Sequence, residues 1–230
     1  MQIKILYEDE ELLIVQKPAG LATQAKGVGQ KDVVSELKGY LHKSTGKNPY
    51  VGIVHRLDQP VEGLLVFGKT QNATAKLSKG LQTGQLNKKY YAVICGQPKG
   101  GHGQLVDYMY KSEDNKSVIV KEADFNDSQI KKASLTYEII YRDENYSVAD
   151  VTLQTGRFHQ IRAQFSNAGF PLLGDRKYGN EESMELSRKL QIKNVALCAY
   201  EINVTHPKTG KELRFCIKPE GKIFANILKE

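Results

Sequence analysis

The alternation of apolar and polar residues predicts more strands than helices along this chain. Residues 3–8 and 12–17 are two β-like runs separated by three acidic residues, which indicates a hairpin. Between residues 104 and 153, four further β-like runs follow one another without a helical segment, as is typical of an antiparallel meander. The predicted meander strands are residues 104–110, 117–121, 132–142 and 145–153, and the other predicted strands are residues 64–68, 88–95, 196–205 and 212–217.

Helical spacing of apolar residues is found in five segments. Asp32 and Thr70 can each cap the helix that follows them. In the third segment Phe158, Ile161 and Phe165 fall at helical intervals, which predicts an apolar stripe that faces inward. The predicted helices are residues 33–42, 70–83, 155–169, 181–190 and 222–228.

The composition is that of a globular protein with a basic surplus. With 230 residues, 40% of them hydrophobic, the elements above predict one α+β domain over residues 1–230, from which residues 104–132 can project as an insertion. The 33 basic and 26 acidic residues leave a formal net charge of +7, which favours a polyanionic partner. No apolar run reaches the ~18 residues of a membrane helix. The acidic start lacks the apolar stretch of a signal peptide, so we expect a cytoplasmic protein that binds no membrane.

The cysteines and short motifs indicate no metal and no cofactor. Cys95, Cys198 and Cys216 are far apart in apolar or strand-like contexts, which is typical of reduced thiols. The sequence has no C-x-x-C or H-E-x-x-H motif for a metal and no glycine-rich motif for phosphate. We therefore expect the protein to act without a metal and without a nucleotide cofactor.

Residues 54–69, V-H-R-L-D-Q-P-V-E-G-L-L-V-F-G-K, are the most informative stretch of the chain. Their apolar end predicts a buried strand, and Pro60 prevents the residues before it from continuing that strand. His55, Arg56 and Asp58 are therefore expected on a stiff loop that leads into a core strand, a usual place for catalytic groups. From these features alone, the alternative is a surface turn with an Arg–Asp pair.

Arg162 has an unusual position in the third predicted helix. It lies about 100° from Ile161 around the helix axis, at the edge of the apolar stripe. A guanidinium in that position is partly buried and requires a carboxylate partner. His159 and Gln160 are expected to make polar contacts on the same helix.

Several segments together resemble the motifs of one enzyme family. They are H-R-L-D at 55–58, K-K-Y-Y-A at 88–92, T-G-R-F-H-Q-I-R at 155–162 and P-L-L-G-D-R-K-Y-G at 171–179, and the opening residues fit the same pattern. In their order over nearly the whole chain they resemble the RluA-type pseudouridine synthases, which isomerise uridine in RNA. The resemblance implies a mixed, mainly antiparallel sheet flanked by helices, and a reaction without a cofactor.

The chain departs from that family in two respects. Val61 and Glu62 stand where the family usually has Thr-Ser before the glycine of the catalytic strand. The departure can alter a hydrogen bond that shapes the loop, or place a second acid near the site. The chain also begins directly with the catalytic domain, so we expect no N-terminal RNA-binding module of the kind that some relatives carry.

The resemblance implies chemical roles for three residues. Asp58 matches the catalytic carboxylate, which either attacks the substrate covalently or assists deprotonation at the sugar. Arg162 matches the arginine that pairs with this Asp, and the alternative is a structural ion pair with another acid. Tyr90 matches the active-site Tyr, whose ring can stack on uracil and whose hydroxyl can assist proton removal at C5. Tyr91 alternates to the other face of the sheet and is expected in the core.

Other residues are expected to bind the substrate RNA. Arg56 matches the residue that fills the gap left by the flipped base, and the alternative is a phosphate contact. His55 is expected to position the backbone, and Leu153 and Ile161 to form walls of the pocket. Basic residues near the motifs are expected to contact phosphates, namely Lys17, Lys69, Lys88, Lys89, Arg157, Arg176 and Lys177.

We therefore expect a monomeric RNA uridine isomerase that acts on tRNA or on large-subunit rRNA. The first alternative is an RNA-binding or chaperone protein on the same fold that has lost catalysis, motivated by the departure at Val61 and Glu62. The second is a hydrolase built on His55 and Asp58. The sequence lacks the oxyanion-type glycine loop and the Ser or Cys motif that such a hydrolase requires.

Overall fold

The computed structural model describes residues 3–25, 27, 29–46, 48–121 and 127–225. The strands are β1 (Lys4–Glu8), β2 (Leu12–Lys17), β3 (Gly52–Ile53), β4 (Glu62–Gly68), β5 (Leu86–Cys95), β6 (His102–Lys111), β7 (Ser117–Val120), β8 (Lys131–Arg142), β9 (Tyr146–Leu153), β10 (Leu197–Thr205) and β11 (Glu212–Cys216). The helices are α1 (Val33–Thr45), α2 (Gln71–Thr83), α3 (Gln160–Asn167), α4 (Glu181–Lys189) and α5 (Lys222–Ala225).

The chain divides into two compact units. Unit 1 consists of Met1–Lys88 and Cys198–Glu220, and unit 2 of Lys89–Leu197 and Gly221–Glu230. The strands pair mainly antiparallel, β10 pairs parallel to β4, and helices accompany them. The predicted α+β class with a mixed, mainly antiparallel sheet is therefore confirmed.

Unit 1 is built on the strand order β1-β2-β4-β10, with β3 paired to β4 and β11 paired to β10. The central strand β4 is buried along its whole length, because its residues Leu64–Phe67 are apolar on both faces. It runs antiparallel to β2 and parallel to β10, with Glu62 opposite Cys198. Leu12, Leu64 and Leu77 belong to the apolar cluster on one face. The start of β4 is thus fixed by pairing on both sides.

Unit 2 contains an antiparallel sheet in the strand order β5-β9-β8-β6-β7. The predicted strands between residues 104 and 153 correspond to β6, β7, β8 and β9, and their antiparallel pairing is confirmed. The meander order is wrong, because β6 lies between β7 and β8. Because β6 pairs with β8 from His102 to Met109, that segment is part of the sheet and the projecting insertion expected there is wrong. Met109, Ala133 and Ala163 form a small apolar cluster in which α3 contacts the sheet.

The predicted helix over residues 155–169 begins later than its apolar spacing indicated. The helix α3 starts at Gln160, because His159 has a left-handed backbone (φ 49°) that a continuous α-helix cannot contain. Phe158 is therefore outside the helix and 39% exposed, so its predicted inward position is wrong, whereas Ile161 and Phe165 are buried as predicted.

The other helices lie close to their predicted positions. Asp32 and Thr70 each accept a hydrogen bond from a backbone N–H of the first helical turn, as predicted for capping residues. The last residues of the predicted C-terminal helix, 226–228, lie outside the described residues. Within the part of the chain that the structure describes, no helix combines the length and the apolar character needed to span a membrane.

Candidate active site

The stretch that carries Asp58, residues 54–61 and here called the Asp58 loop, leads directly into β4. The N–H of Val61 donates to the carbonyl oxygen of Asp58 at 3.0 Å and closes a tight turn around Pro60. Two residues later, Gly63 has φ 131°, and a Cβ there would lie 2.5 Å from the backbone nitrogen of Ala199. Only glycine fits that position, and the loop is therefore attached to a strand whose place is fixed.

The buried side chain of Lys17 holds the Asp58 loop through hydrogen bonds to backbone carbonyl groups. Its side chain is fully buried (0% exposed), and its ammonium donates to the carbonyl oxygens of Pro18, Leu21 and Gln59 at 3.0, 2.7 and 3.2 Å. The predicted phosphate contact of Lys17 is therefore wrong, because its ammonium is enclosed by backbone oxygens. Thr23 adds a second connection, since its hydroxyl donates to the carbonyl of Leu57 and accepts from the N–H of the same residue.

The electrostatic balance at Lys17 involves two carboxylates. Burial lowers the pKa of Lys17 to about 8, and the negative charges of Asp58 and Glu62 act in the opposite direction. Asp58 is half-buried in the loop, whereas Glu62 is buried at the start of β4. Both carboxylates are thus near enough to the Lys17 ammonium to stabilise its positive charge.

His55 belongs to the Asp58 loop, and its side chain is buried. Its Nε2 accepts the backbone N–H of Val66 at 3.3 Å, and its Nδ1 has no hydrogen-bond partner among the described residues. Burial, followed by the nearby Lys88 ammonium, holds the pKa of His55 well below its usual value. A neutral, enclosed imidazole is consistent with the backbone-positioning role expected for this residue.

Arg56 and Lys88 are two of the cationic residues in unit 1 that were predicted to contact RNA. Arg56 is exposed, and its guanidinium is 3.5 Å from the side-chain oxygen of Gln24. Lys88 is half-buried, and burial lowers its pKa to about 8. Arg56 is therefore accessible to a ligand from solvent, and Lys88 is partly accessible.

Unit 2 carries the tyrosine motif on β5. Tyr90 is 4% exposed and lies opposite Val151 of β9, whereas Tyr91 is only half-buried. The expectation that Tyr91 would be the core residue is wrong, because the face of β5 that carries Tyr90 is the more deeply covered one. Leu153 is half-buried at the end of β9, and Ile161 is buried in the first turn of α3.

Arg162 is held by an ion pair within unit 2. The side chain is 4% exposed, and its Nε and Nη2 donate to the two carboxylate oxygens of Asp175 at 2.6 and 2.9 Å. Asp175 also accepts the backbone N–H groups of Lys177 and Tyr178. The carboxylate partner that a buried guanidinium requires is thus present, and it is the acid of the P-L-L-G-D motif. Pairing of Arg162 with Asp58 stays a prediction.

The backbone around Asp175 allows this geometry because of its neighbouring glycine. Gly174 has φ 76°, and a Cβ there would lie 2.0 Å from the carbonyl oxygen of Asn194. The loop can therefore pass close to that carbonyl only with glycine at this position. The Gly-Asp pair at residues 174 and 175 was the sequence feature that could have indicated Asp175 as the partner of Arg162.

Gln160 holds the loop before α3 and was expected to make only helix contacts. Its side-chain oxygen accepts the hydroxyl of Thr155 and the N–H of Arg157, and its amide donates to the carbonyl of Ser134 and the side chain of Gln164. Arg157 is exposed, and its Nε donates to the carbonyl of Lys132. The loop therefore presents Arg157 from a fixed backbone.

A cavity of about 610 Å³ lies in unit 1 between α2 and the turn after β10. Its basic lining residues are Lys76, Lys79 and Lys208, and none of the predicted site residues lines it. On β10 the cavity begins at Val204, six residues beyond Cys198, the residue opposite Glu62, which is roughly 20 Å at ~3.3 Å per residue. We therefore do not assign it to the chemistry. Among the described residues, no group of three His, Cys, Asp or Glu side chains is placed to hold a metal ion.

Comparisons with known proteins agree with the sequence motifs. The family model for RNA pseudouridylate synthase matches residues 11–167. Ribosomal large subunit pseudouridine synthase D of Zymomonas mobilis is 34% identical over 222 residues, covering 93% of this chain and 68% of the relative. The protein of the same name from Pasteurella multocida is 32% identical, covering 92% and 65%. The chain spans about two thirds of the length of these curated relatives.

A solved structure supports the same fold. Human RNA pseudouridylate synthase domain containing 4 superposes with a TM-score of 0.76 at 21% identity, covering 96% of this chain and 90% of the human one. Fold, motifs and relatives agree over most of the chain. This chain therefore belongs to the RNA pseudouridylate synthase family.

Proposed function

We propose that this chain isomerises uridine to pseudouridine in large-subunit ribosomal RNA and that Asp58 is the carboxylate that reacts. The reaction breaks the bond from C1′ of the ribose to N1 of uracil and forms a bond from C1′ to C5. The proton of C5 is lost and N1 gains one, so there is no net change of oxidation state. The curated relatives, which are named for the large ribosomal subunit, support this choice of RNA.

The observation that carries the proposal is the way in which the Asp58 loop is held. A half-buried carboxylate lies on a turn closed by its own carbonyl group, beside a buried ammonium and at the start of a buried strand. Such a carboxylate keeps its position, which both covalent attack and deprotonation at the sugar require.

The remaining site residues receive supporting roles. We propose that Tyr90 stacks on the flipped uracil and that Arg162 contributes positive charge to the site. Arg56 replaces the flipped base in its stack. The other proposed RNA contacts are Leu153 and Ile161 as pocket walls, His55 as a backbone support, and Lys88 and Arg157 as phosphate ligands. We propose that residues 1–230 act as one catalytic domain, as a monomer in the cytoplasm.

The assignment of Asp58 is tested with Asp58→Asn in a tritium-release assay on RNA that contains 5-tritiated uridine. We expect a loss of turnover of at least about a thousandfold, because the amide is not a nucleophile and not a base. RNA binding and the unfolding transition should change little. Asp114→Asn, in the exposed turn between β6 and β7, is the matched control and should keep full activity. Wild-type turnover by the Asp58→Asn chain would refute the role of Asp58.

The choice of RNA is tested separately. Pseudouridines are mapped across cellular RNA with and without the gene. Loss of one or more sites in large-subunit rRNA is expected, and loss confined to tRNA would contradict the proposed substrate while leaving the reaction intact. An inactive RNA-binding protein on this fold would change no site, and its purified chain would release no tritium.

A further inference from the structure

Phe158 is an exposed aromatic residue to which the proposed chemistry gives no role. It is 39% exposed, whereas the nearby Gln160 and Ile161 are buried. A single apolar side chain on the surface is ordinary in globular proteins and requires no function. Phe158 differs from such a residue because both its main chain and its ring are held by neighbouring groups, all of them within unit 2.

Two hydrogen bonds and one left-handed residue hold the main chain around Phe158. Its carbonyl oxygen accepts the hydroxyl of Ser117, the first residue of β7. The N–H of the preceding residue, Arg157, donates to the side-chain oxygen of Gln160 at 2.9 Å, and the following residue, His159, has φ 49°. The side chain of Phe158 therefore leaves the main chain at a fixed place, and a ligand that binds it does not have to order the loop.

The ring of Phe158 is covered by different groups on its two faces. The imidazole of His159 stacks on one face, with 3.7 Å between the ring centroids and 23° between the ring planes. The ammonium of Lys111, at the end of β6, lies over the ring at 4.9 Å from its centroid. Because the imidazole occupies the first face, this ammonium lies over the second. One face is thus covered by a stacked ring and the other by a long, exposed side chain.

A planar ligand can replace the lysine over the second face. Lys111 is exposed, so its ammonium stays hydrated when it leaves the ring. A cation–π contact at an exposed site is weaker than the stacking of a nucleobase on an aromatic side chain. A base that stacks on Phe158 therefore gains more free energy than the displaced ammonium loses.

A series of contacts connects Phe158 to Arg162, one of the proposed site residues. Nδ1 of His159 lies 2.7 Å from the hydroxyl of Tyr178, which also accepts the N–H of Ser117 at 2.7 Å. The ring centroid of Tyr178 is 5.1 Å from Cζ of Arg162. Phe158 thus belongs to the same cluster of side chains as Arg162, and an RNA that reaches Arg162 comes close to the exposed ring.

The charges beside the ring suit a nucleotide. Within residues 111–116, Lys111 and Lys116 are balanced by Glu113 and Asp114, and Arg157 adds an exposed positive charge directly before the ring. The ammonium of Lys111 is the charged group that contacts the ring. A nucleotide of single-stranded RNA offers a planar base for the ring and a phosphate for a neighbouring cation.

We propose that Phe158 is a stacking platform for an unpaired base of the substrate RNA, a base other than the uridine that reacts. On binding, the base takes the face that Lys111 covers, and the ammonium moves to a phosphate of the same strand. The inference rests on the proposed function, because it takes RNA as the substrate. It adds that the RNA beside the target uridine is single-stranded, since a base inside a duplex has no free face to offer.

Equilibrium binding to two RNAs tests the platform: a short fluorescein-labelled single strand of mixed sequence and the duplex of the same sequence. Phe158→Leu keeps an apolar side chain without a ring, and we expect it to bind the single strand about tenfold more weakly and the duplex unchanged. Ile140→Ala is the matched control, because Ile140 is 42% exposed in β8 of the same unit. It should bind both RNAs as the wild type does.

Phe158→Trp provides a direct readout of stacking. The chain contains no other Trp, so the fluorescence of this variant reports on position 158 alone. We expect the single strand to quench that fluorescence and the duplex to leave it unchanged, with single-strand affinity at least that of the wild type. Because the ring is retained, this measurement remains available if Phe158→Leu folds poorly. Absence of quenching by bound single strand would overturn the proposal.

The role of Lys111 is tested by the salt dependence of single-strand binding. In Lys111→Met the slope of log affinity against log salt concentration should become shallower by about 0.7, the value for one phosphate contact on a single strand. Phe158→Leu should keep the wild-type slope, because stacking releases no counterions. An unchanged slope in Lys111→Met would refute the movement of its ammonium to a phosphate.

The platform and the proposed function fail on different results. Equal single-strand binding by Phe158→Leu and the wild type refutes the platform, and so does an equal loss of duplex binding, which would indicate a general defect. Neither result affects tritium release by the wild type. A wild type that binds RNA through Phe158 but releases no tritium contradicts only the proposed function.

Discussion

Each of the two units buries a cation that contacts a loop, and the positive charge is balanced by different groups in the two units. In unit 1 the ammonium of Lys17 contacts three backbone carbonyls and is attracted by two carboxylates. In unit 2 the planar guanidinium of Arg162 makes a two-point contact with one carboxylate, that of Asp175. The first arrangement connects main-chain segments, and the second connects a helix to a loop.

The two buried cations differ in whether they can lose a proton. An arginine keeps its charge at every pH at which the protein is folded, so its ion pair is permanent. The buried lysine has a pKa lowered to about 8 and can lose its charge under mild conditions. The Asp58 loop therefore depends on a titratable tether, while the Asp175 loop depends on one that does not titrate.

The largest effect is expected from breaking the ion pair in unit 2. Asp175→Asn removes the carboxylate from a buried guanidinium, which should lower the free energy of unfolding by about 3–5 kcal/mol. Glu185→Gln is the control, because its pair with Lys189 is exposed and screened by water, so its loss should leave the free energy of unfolding nearly unchanged. Urea unfolding measures both. A loss below about 1 kcal/mol in Asp175→Asn would mean that Arg162 is compensated by other groups.

A smaller loss is expected from removing the tether in unit 1. Lys17→Met leaves carbonyl oxygens without their donor, which should cost about 2 kcal/mol of unfolding free energy and slow tritium release, because the Asp58 loop is no longer held. Lys208→Met, at an exposed position, is the control and should leave the free energy of unfolding nearly unchanged. Full activity of Lys17→Met would show that the loop is positioned without the ammonium.

The smallest effect is a pH dependence that separates the two cations. The pKa of Lys17 is about 8 in the folded chain and 10.5 when unfolded. Above pH ~8 the unfolded chain therefore binds a proton that the folded chain has released, and stability rises with pH. Relative to Lys17→Met, the wild type should gain about 1 kcal/mol between pH ~8 and ~9. Lys88, whose pKa is also lowered, is present in both the wild type and Lys17→Met, so its contribution cancels in the difference.

Asp175→Asn provides the comparison for that measurement. Its unfolding free energy should keep the wild-type slope with pH, since Lys17 is unchanged in it and Arg162 does not titrate. A wild type and a Lys17→Met variant with the same slope between pH ~8 and ~9 would show that Lys17 is not the titrating group.

The sequence predicted those parts of the molecule that depend on neighbouring residues. The antiparallel strands of unit 2 and the buried strand after Asp58 follow from local alternation and from continuous apolar runs, and both are confirmed. The meander order is wrong, because the neighbour of β8 besides β9 is β6 rather than β7. The start of α3 was wrong because apolar spacing continued through Phe158, while the hydrogen bonds of Gln160 keep residues 155–159 outside the helix. The spacing of apolar residues does not reveal that side-chain hydrogen bonds compete with the helix at these positions.

The contacts of the charged groups were not predictable in the same way. Lys17 was expected to face phosphate, but one of its acceptors is the carbonyl of Gln59, 42 residues further along the chain. The acid that holds Arg162 is Asp175, 13 residues away and in a loop. Neither partner is marked by spacing along the sequence, because both meet their cation only when separate segments fold together.

The glycine at position 63 has a further consequence. Its neighbour across the parallel pair is the main chain of Ala199, which leaves no room for a methyl group. If β4 slid by one residue along β10, Glu62 or Leu64 would have to occupy that place, and neither side chain fits. The alignment of the two strands is thus set by steric exclusion at Gly63, and this fixes the strand end from which the Asp58 loop departs.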